Sequence, residues 1–249
     1  MTIPHEPDLD PEGQEQPFIA HLIELRSRLL KIVAVVLLTF VGLAPFADRL
    51  YAYLAGPLLE QLPKGSHMIA IDVASPFLTP FKLALVIAIF ASMPFSLYQV
   101  WAFIAPGLYR HEKRLLLPFL AAGTALFYLG AAFAYFLVLP LIFKFMTATA
   151  PQGVTVMTDI SRYLDFILTL FFAFGVAFEV PIATILLIWS GITTRSALAD
   201  KRPYVIVAAF VIGMILTPPD VVSQTLLAVP MWLLYELGLL FSRPFAREP

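Results

Sequence analysis

LLLPFLAAGTALFYLGAAFAYFLVLPLIF, residues 115–143, runs for 29 residues without a charged side chain. A bilayer core of about 30 Å takes roughly 20 helical residues, so the stretch is long enough to cross it with some tilt. The whole chain agrees with it. Of 249 residues, 60% are hydrophobic and 13% charged, and mean hydropathy is +0.86. A soluble domain of this size sits nearer 45–50% apolar and about 25% charged. The expectation is one compact, all-α, polytopic membrane domain.

Five further apolar runs flank this one: Ile32–Phe46, Leu83–Pro106 with Pro94 near its middle, Phe166–Trp189, Pro203–Leu216 and Val221–Phe241. The run Pro203–Leu216 has only 14 residues, about 21 Å of helix. It is either a buried hairpin arm or a short crossing that thins the bilayer. Flanking charge favours the crossing. With six spans, eleven of the 16 Lys and Arg fall on the side of both termini, around Arg26, Arg110, Arg195 and Arg243. The five on the other side are Arg49, Lys64, Lys82, Lys144 and Arg162. Both termini are therefore expected in the cytoplasm. The acidic, proline-rich residues 1–17 read as a flexible tail with no secretory-signal pattern. Residues 18–243 read as the membrane domain, and 244–249 as a short cytoplasmic tail. DRLYAYLAGPLLEQL (48–62) reads as an outer amphipathic helix interrupted at Pro57.

Several chemistries are set aside. Net charge is −1, which gives no general pull toward nucleic acid. Cysteine is absent and the four His are scattered, so disulfides, thiolate chemistry and a metal site have no support, and no cofactor is expected. No P-loop, HExxH, GxSxG or GxGxxG pattern occurs, so the chain does not read as an enzyme.

The polar residues that remain are few. HLIELRSRLLKI (21–32) sets Glu24 among Arg26, Arg28 and Lys31 just before a span. At 100° per residue, His21, Glu24, Arg28 and Lys31 share one helix face and Arg26 lies apart. Glu24 either pairs with Arg28 at i,i+4 or is held ionised for a ligand. Glu112 stands alone among Arg110, His111, Lys113 and Arg114 in LYRHEKRLLLP (108–118). Two such carboxylates on one membrane face suit a partner carrying guanidinium groups. Glu179, in FGVAFEVPIA, is residue 14 of a 24-residue span, where an acid costs about 2.5–3.5 kcal/mol on insertion scales. It reads as neutral or paired: a structural hydrogen bond, a polar path, a proton site or a helix-docking point. Thr217, Asp220, Ser223, Gln224 and Thr225 near the outer end of the last hairpin suit hydrogen bonds between helices, and Asp220 reads alternatively as a cap of the last helix. Glu236, about one turn from that helix's end, is expected to snorkel.

HLIELRSRLL, DVASPFLTPFK, LYQVWAFIAPGLYRHEKR, FGVAFEVP and KRPYVIVAAFVIGMILTPPD together resemble the TatC family, the multispanning receptor subunit of the twin-arginine protein translocase. The resemblance covers roughly residues 18–243. It implies six helices in a concave cupped bundle in the bacterial inner membrane. It also implies recognition of twin-arginine signal peptides on folded cargo, TatA- and TatB-type single-span partners in an oligomeric complex, and drive by the proton gradient. By the resemblance, Glu24 and Glu112 match the carboxylates that receive the arginine pair, and Arg26, His21, Phe103 and Leu108 match positions in or beside that site. Pro57 and Asp220 match functional outer-loop positions. Glu179 matches the polar intramembrane residue facing the concave side. Met214, Thr217 and Gln224 match the region that docks a partner helix. Two other classes stay open on the residues themselves. One is a proton-coupled carrier for a small solute with Glu179 as proton site, and the other is a structural membrane scaffold.

Overall fold

The computed structural model describes residues 12–59, 68–104, 113–149, 158–216 and 221–245. The chain is built of helices. In order these are α1 (Glu12–Leu43), α2 (Ala47–Leu59), α3 (Ser75–Ala91), α4 (Met93–Ile104), α5 (Lys113–Phe133), α6 (Leu139–Thr149), α7 (Ile160–Ala177), α8 (Val180–Trp189), α9 (Arg195–Asp200), α10 (Arg202–Leu216) and α11 (Val221–Phe241). A single 3₁₀ turn, Ala44–Phe46, joins α1 to α2. Two loops add what the hydropathy pattern does not reveal, a two-residue parallel pairing of Met68 with Thr158 and Ile69 with Asp159.

Among the described residues, four helical stretches are long and apolar enough to cross a membrane: Ile19–Tyr53, Leu117–Phe145, Ile160–Trp189 and Gln224–Phe241. The pair α3–α4 passes the same test, bent by 53°, and Arg202–Leu216 is a shorter apolar helix. The chain is thus a multipass membrane protein. At 15 residues, α10 is about 22 Å long. Helix α2 runs on through Pro57 to Leu59, so the expected interruption there is not seen. Pro57 deprives one mid-helix carbonyl of its donor, at Tyr53, whose residue lies 82% exposed, where water can take the donor's place.

Three prolines set the internal breaks by one mechanism: each lacks the N–H that would bond the carbonyl four residues back. Pro94 deprives Phe90, and the chain bends at Ser92 between α3 and α4. Pro140 deprives Phe136, and the preceding turn widens into a π-helical segment, Ala134–Val138, closed by Leu139 N–H on Ala134 O. Pro181 deprives Ala177, and α7 ends there, with Phe178 and Glu179 as a short break before α8.

The largest core packs the π segment, α6, α7, α10 and α11 around Phe174, Ile167, Leu170, Leu227 and Leu139. Leu97 and Trp101 of α4 meet Ile182 and Leu186 of α8. Leu83 of α3 meets Leu164 and Leu168 of α7. Small residues permit the closest approach, as is common between helices in lipid. A Cβ on Gly130 of α5 would lie 2.4 Å from the carbonyl oxygen of Phe174, and one on Gly175 of α7 would lie 2.6 Å from the Phe127 ring.

Candidate functional site

Helix α1 lies at the edge of the bundle and packs on α3 and α4. Where it crosses α4, five polar and aromatic side chains converge. Arg28 donates from Nε (2.9 Å) and Nη2 (2.6 Å) to a single oxygen of Glu24, Oε1. Its Nη1 donates across the helix pair to Oε1 of Gln99 on α4, at 3.2 Å. One turn further along α4, Phe103 stacks on His21 of α1, with ring centroids 4.3 Å apart and planes 18° apart. The spacing makes this natural: 21, 24 and 28 share a face of α1, and 99 and 103 share a face of α4.

The i,i+4 pairing of Glu24 with Arg28 is therefore formed, but it uses only one carboxylate oxygen. The other, Oε2, has no bond from any described residue, and the Glu24 side chain is 41% exposed. Chemically this is a fixed, half-committed carboxylate beside an aromatic stack, suited to accept a further strong donor. Arg26 does not join it. It is exposed on the far flank of α1, with Ile23, Ser27 and Leu30 around it. Glu112 and Leu108 lie outside the described residues.

Glu179 occupies the break between α7 and α8 and is 8% exposed. Neither carboxyl oxygen has a hydrogen-bond partner among the described residues. It faces protein: α5 makes room for it with Gly123, whose added Cβ would lie 3.0 Å from Oε2.

On the α10–α11 hairpin, Met214 is exposed. Gln224 donates Nε2 to the carbonyl oxygen of Phe210 at 2.8 Å and packs over Gly213, so its amide already ties the two helices together. Thr217 and Asp220 lie outside the described residues, as does the side chain of Pro57.

Some polar contacts have no counterpart in the sequence reading. Glu236 does more than snorkel: Arg202 donates to both its oxygens, at 2.6 and 3.0 Å, and locks α10 to α11. Lys82 of α3 pairs with Asp165 of α7. Asp159 caps α7, accepting from Ser161 N–H (3.1 Å) and Arg162 N–H (2.9 Å), and its second oxygen takes Ile71 N–H (3.0 Å). The backbone N–H groups of Arg162 and Ile71 hold this carboxyl below its ordinary value, against the opposing effect of burial. The sequence signal for it was present in TDIS, an acid just before a helix. For Gln99 there was none, since an amide in an apolar helix does not say what it faces.

Comparison with known proteins agrees with this architecture. The family model described as Sec-independent protein translocase protein (TatC) matches residues 20–230. The Sec-independent protein translocase protein TatC of Haemophilus influenzae is 62% identical over 230 residues, covering 92% of this chain and 90% of that protein. That of Escherichia coli K12 is 58% identical over 228 residues, covering 92% and 88%. A crystal structure described as the twin arginine translocase receptor TatC superposes with a TM-score of 0.81 at 39% identity, over 91% of this chain and all of that one. With a family model spanning most of its length and near-full-length relatives at this identity, the chain belongs to the TatC family of protein translocase components.

Proposed function

We propose that this chain is the signal-peptide receptor of a twin-arginine translocase. The observation that carries the reading is the Glu24 carboxylate, fixed through one oxygen by Arg28 and left with the other unbonded among the described residues. A planar guanidinium fits such an acceptor better than an ammonium does, which accounts for a preference for arginine over lysine. Glu112 joins the site on the sequence reading alone and receives the second arginine. His21, Phe103 and Leu108 form its apolar and aromatic rim, and Arg26 flanks it.

In this reading residues 18–243 form six spans in a cupped bundle, with both termini on the cytoplasmic face of a bacterial inner membrane. The flanking-charge asymmetry supports that orientation. On this reading 1–17 and 244–249 are tails, of which residues 12–17 already belong to α1. TatA- and TatB-type single-span partners dock along Met214, Thr217 and Gln224, in an oligomeric complex driven by the proton gradient. The role is transport without catalysis. Pro57 and Asp220 serve on the outer face.

The test is crosslinking of a twin-arginine signal peptide to the membrane-inserted chain, with export of a folded reporter measured in parallel. Glu24→Ala and Glu112→Ala should each lose crosslinking and export while the protein remains inserted. Undiminished crosslinking in the double variant rejects the site. Glu179, buried and without a partner among the described residues, favours a second reading, a proton-coupled carrier. Liposomes holding this chain alone distinguish the two, since the carrier moves solute and the receptor does not.

A further inference from the structure

Gln99 is 6% exposed, in the middle of α4. A buried amide in an apolar helix is retained at an energetic cost unless its polar atoms are bonded. Its Oε1 accepts from Arg28 Nη1, and this bond joins positions 71 apart in the chain. A guanidinium is planar and rigid, so fixing one edge fixes the other. Gln99 takes Nη1, and Glu24 takes Nε and Nη2 on one oxygen. Together they define where that oxygen sits, and hence where Oε2, unbonded among the described residues, points.

The amide is also the right chemistry. A neutral acceptor is weaker than a carboxylate. It steadies Arg28 without drawing the charge away from Glu24. Without it, Arg28 is free to swing and close on both oxygens of Glu24 in the bidentate geometry that arginine prefers. The site would then be filled by the chain's own guanidinium.

We propose that Gln99 is a positioning residue of the guanidinium site, acting through Arg28 to keep one Glu24 oxygen open to the ligand. The proposal rests on the receptor reading above. It makes Gln99 a determinant of discrimination between arginine and lysine as well as of affinity. A carboxylate held in one orientation favours the planar fork over a point charge, and a loosened or self-occupied one favours neither.

The experiment measures binding of two signal peptides, one with paired arginines and one with paired lysines, to full-length inserted protein, normalised to the amount inserted. The variants are Glu24→Gln, Gln99→Met, Gln99→Glu and Arg28→Lys. Gln99→Met keeps the volume and removes the acceptor. It should weaken the arginine peptide about tenfold, the scale of one hydrogen bond to a charged group, and move the arginine-to-lysine ratio toward one. Gln99→Glu offers Arg28 a charged acceptor that competes with Glu24, and should also move the ratio toward one. Arg28→Lys keeps the charge but lacks the planar fork that fixes both partners in one geometry, and should behave like Gln99→Met.

If Glu24→Gln binds the arginine peptide as well as the native chain does, the receptor site itself is misplaced. If Glu24→Gln abolishes binding but Gln99→Met leaves affinity and ratio unchanged, the site stands and the positioning role falls. A Gln99→Glu variant that keeps the native affinity and ratio also overturns it. Should Gln99→Met fail to insert, Arg28→Lys decides, and an unchanged ratio there overturns the proposal.

Discussion

The hydroxyl of Tyr128 donates to the carbonyl oxygen of Phe90 at 2.8 Å, across 38 positions of sequence. Phe90 is the residue whose carbonyl loses its helical partner because position 94 is proline. The bend between α3 and α4 is thus made by one residue and capped by another on a different helix. Tyr128→Phe should destabilise the protein by about 1 kcal/mol, the range for a single hydrogen bond between membrane helices. In a Pro94→Ala background the same change should have little effect, because the carbonyl regains its own donor. Thermal unfolding of the four proteins of this cycle checks it.

The α5–α7 crossing has no room at Gly130, where an added Cβ would lie 2.4 Å from the Phe174 carbonyl oxygen. Gly130→Ala must push two backbones apart and should lower stability by about 3 kcal/mol. Gly42 has nothing within 4 Å of an added Cβ, so Gly42→Ala should be neutral or slightly stabilising through helix propensity. Comparable melting temperatures for the two variants would contradict the crossing.

Glu179 brings a carboxyl into the interior with neither oxygen bonded among the described residues. Such a group opposes folding, and an apolar side chain of similar size relieves it. Glu179→Met should therefore raise stability by about 1–3 kcal/mol while export of a twin-arginine reporter falls. A residue that weakens the fold and is needed for transport is held by function. Loss of both stability and export would instead make Glu179 a structural partner of α5.

The Asp159 clasp gives a pH dependence whose sign is fixed. Its carboxyl lies below the ordinary value of 3.8 in the folded chain, because backbone N–H groups bond the ionised form. Its contribution is complete above 3.8 and disappears as the pH falls through the lower folded value. Amide exchange at Ile71, Ser161 and Arg162 should be slow at neutral pH. Asp159→Ala should speed it about fivefold, the usual scale of a lost helix cap. Acidification below that window should speed it in the native chain too. Protection at these three amides that Asp159→Ala leaves unchanged would show that the carboxylate does not hold the loop.

Much of the helical plan was legible because hydropathy is a local property. The charge-free run at 115–143 is helical across most of its length, and the bend at Ser92 falls beside Pro94, noted near the middle of its run, while the interruption expected at Pro57 is absent. The shortness of α10 was legible too. The i,i+4 pairing of Glu24 with Arg28 could be written down from spacing, since helix geometry alone sets it. Glu236 was read less well: snorkelling was expected, and the structure pairs it with Arg202, 34 positions away. The loop pairing of Ile69 with Asp159 left no periodic trace at all, being two residues long.

By itself, then, the sequence determined which segments are helical and apolar and which polar side chains share one helix face, but not which prolines break a helix, since α2 runs through Pro57 and α11 through Pro230. Only the tertiary structure decided that Gln99 meets Arg28, that Phe103 covers His21, and that Gly123 yields space to Glu179. The reason is physical. In lipid every helix can be apolar on all sides, so the pattern that points a soluble helix toward its core is missing, and close packing alone selects which faces meet.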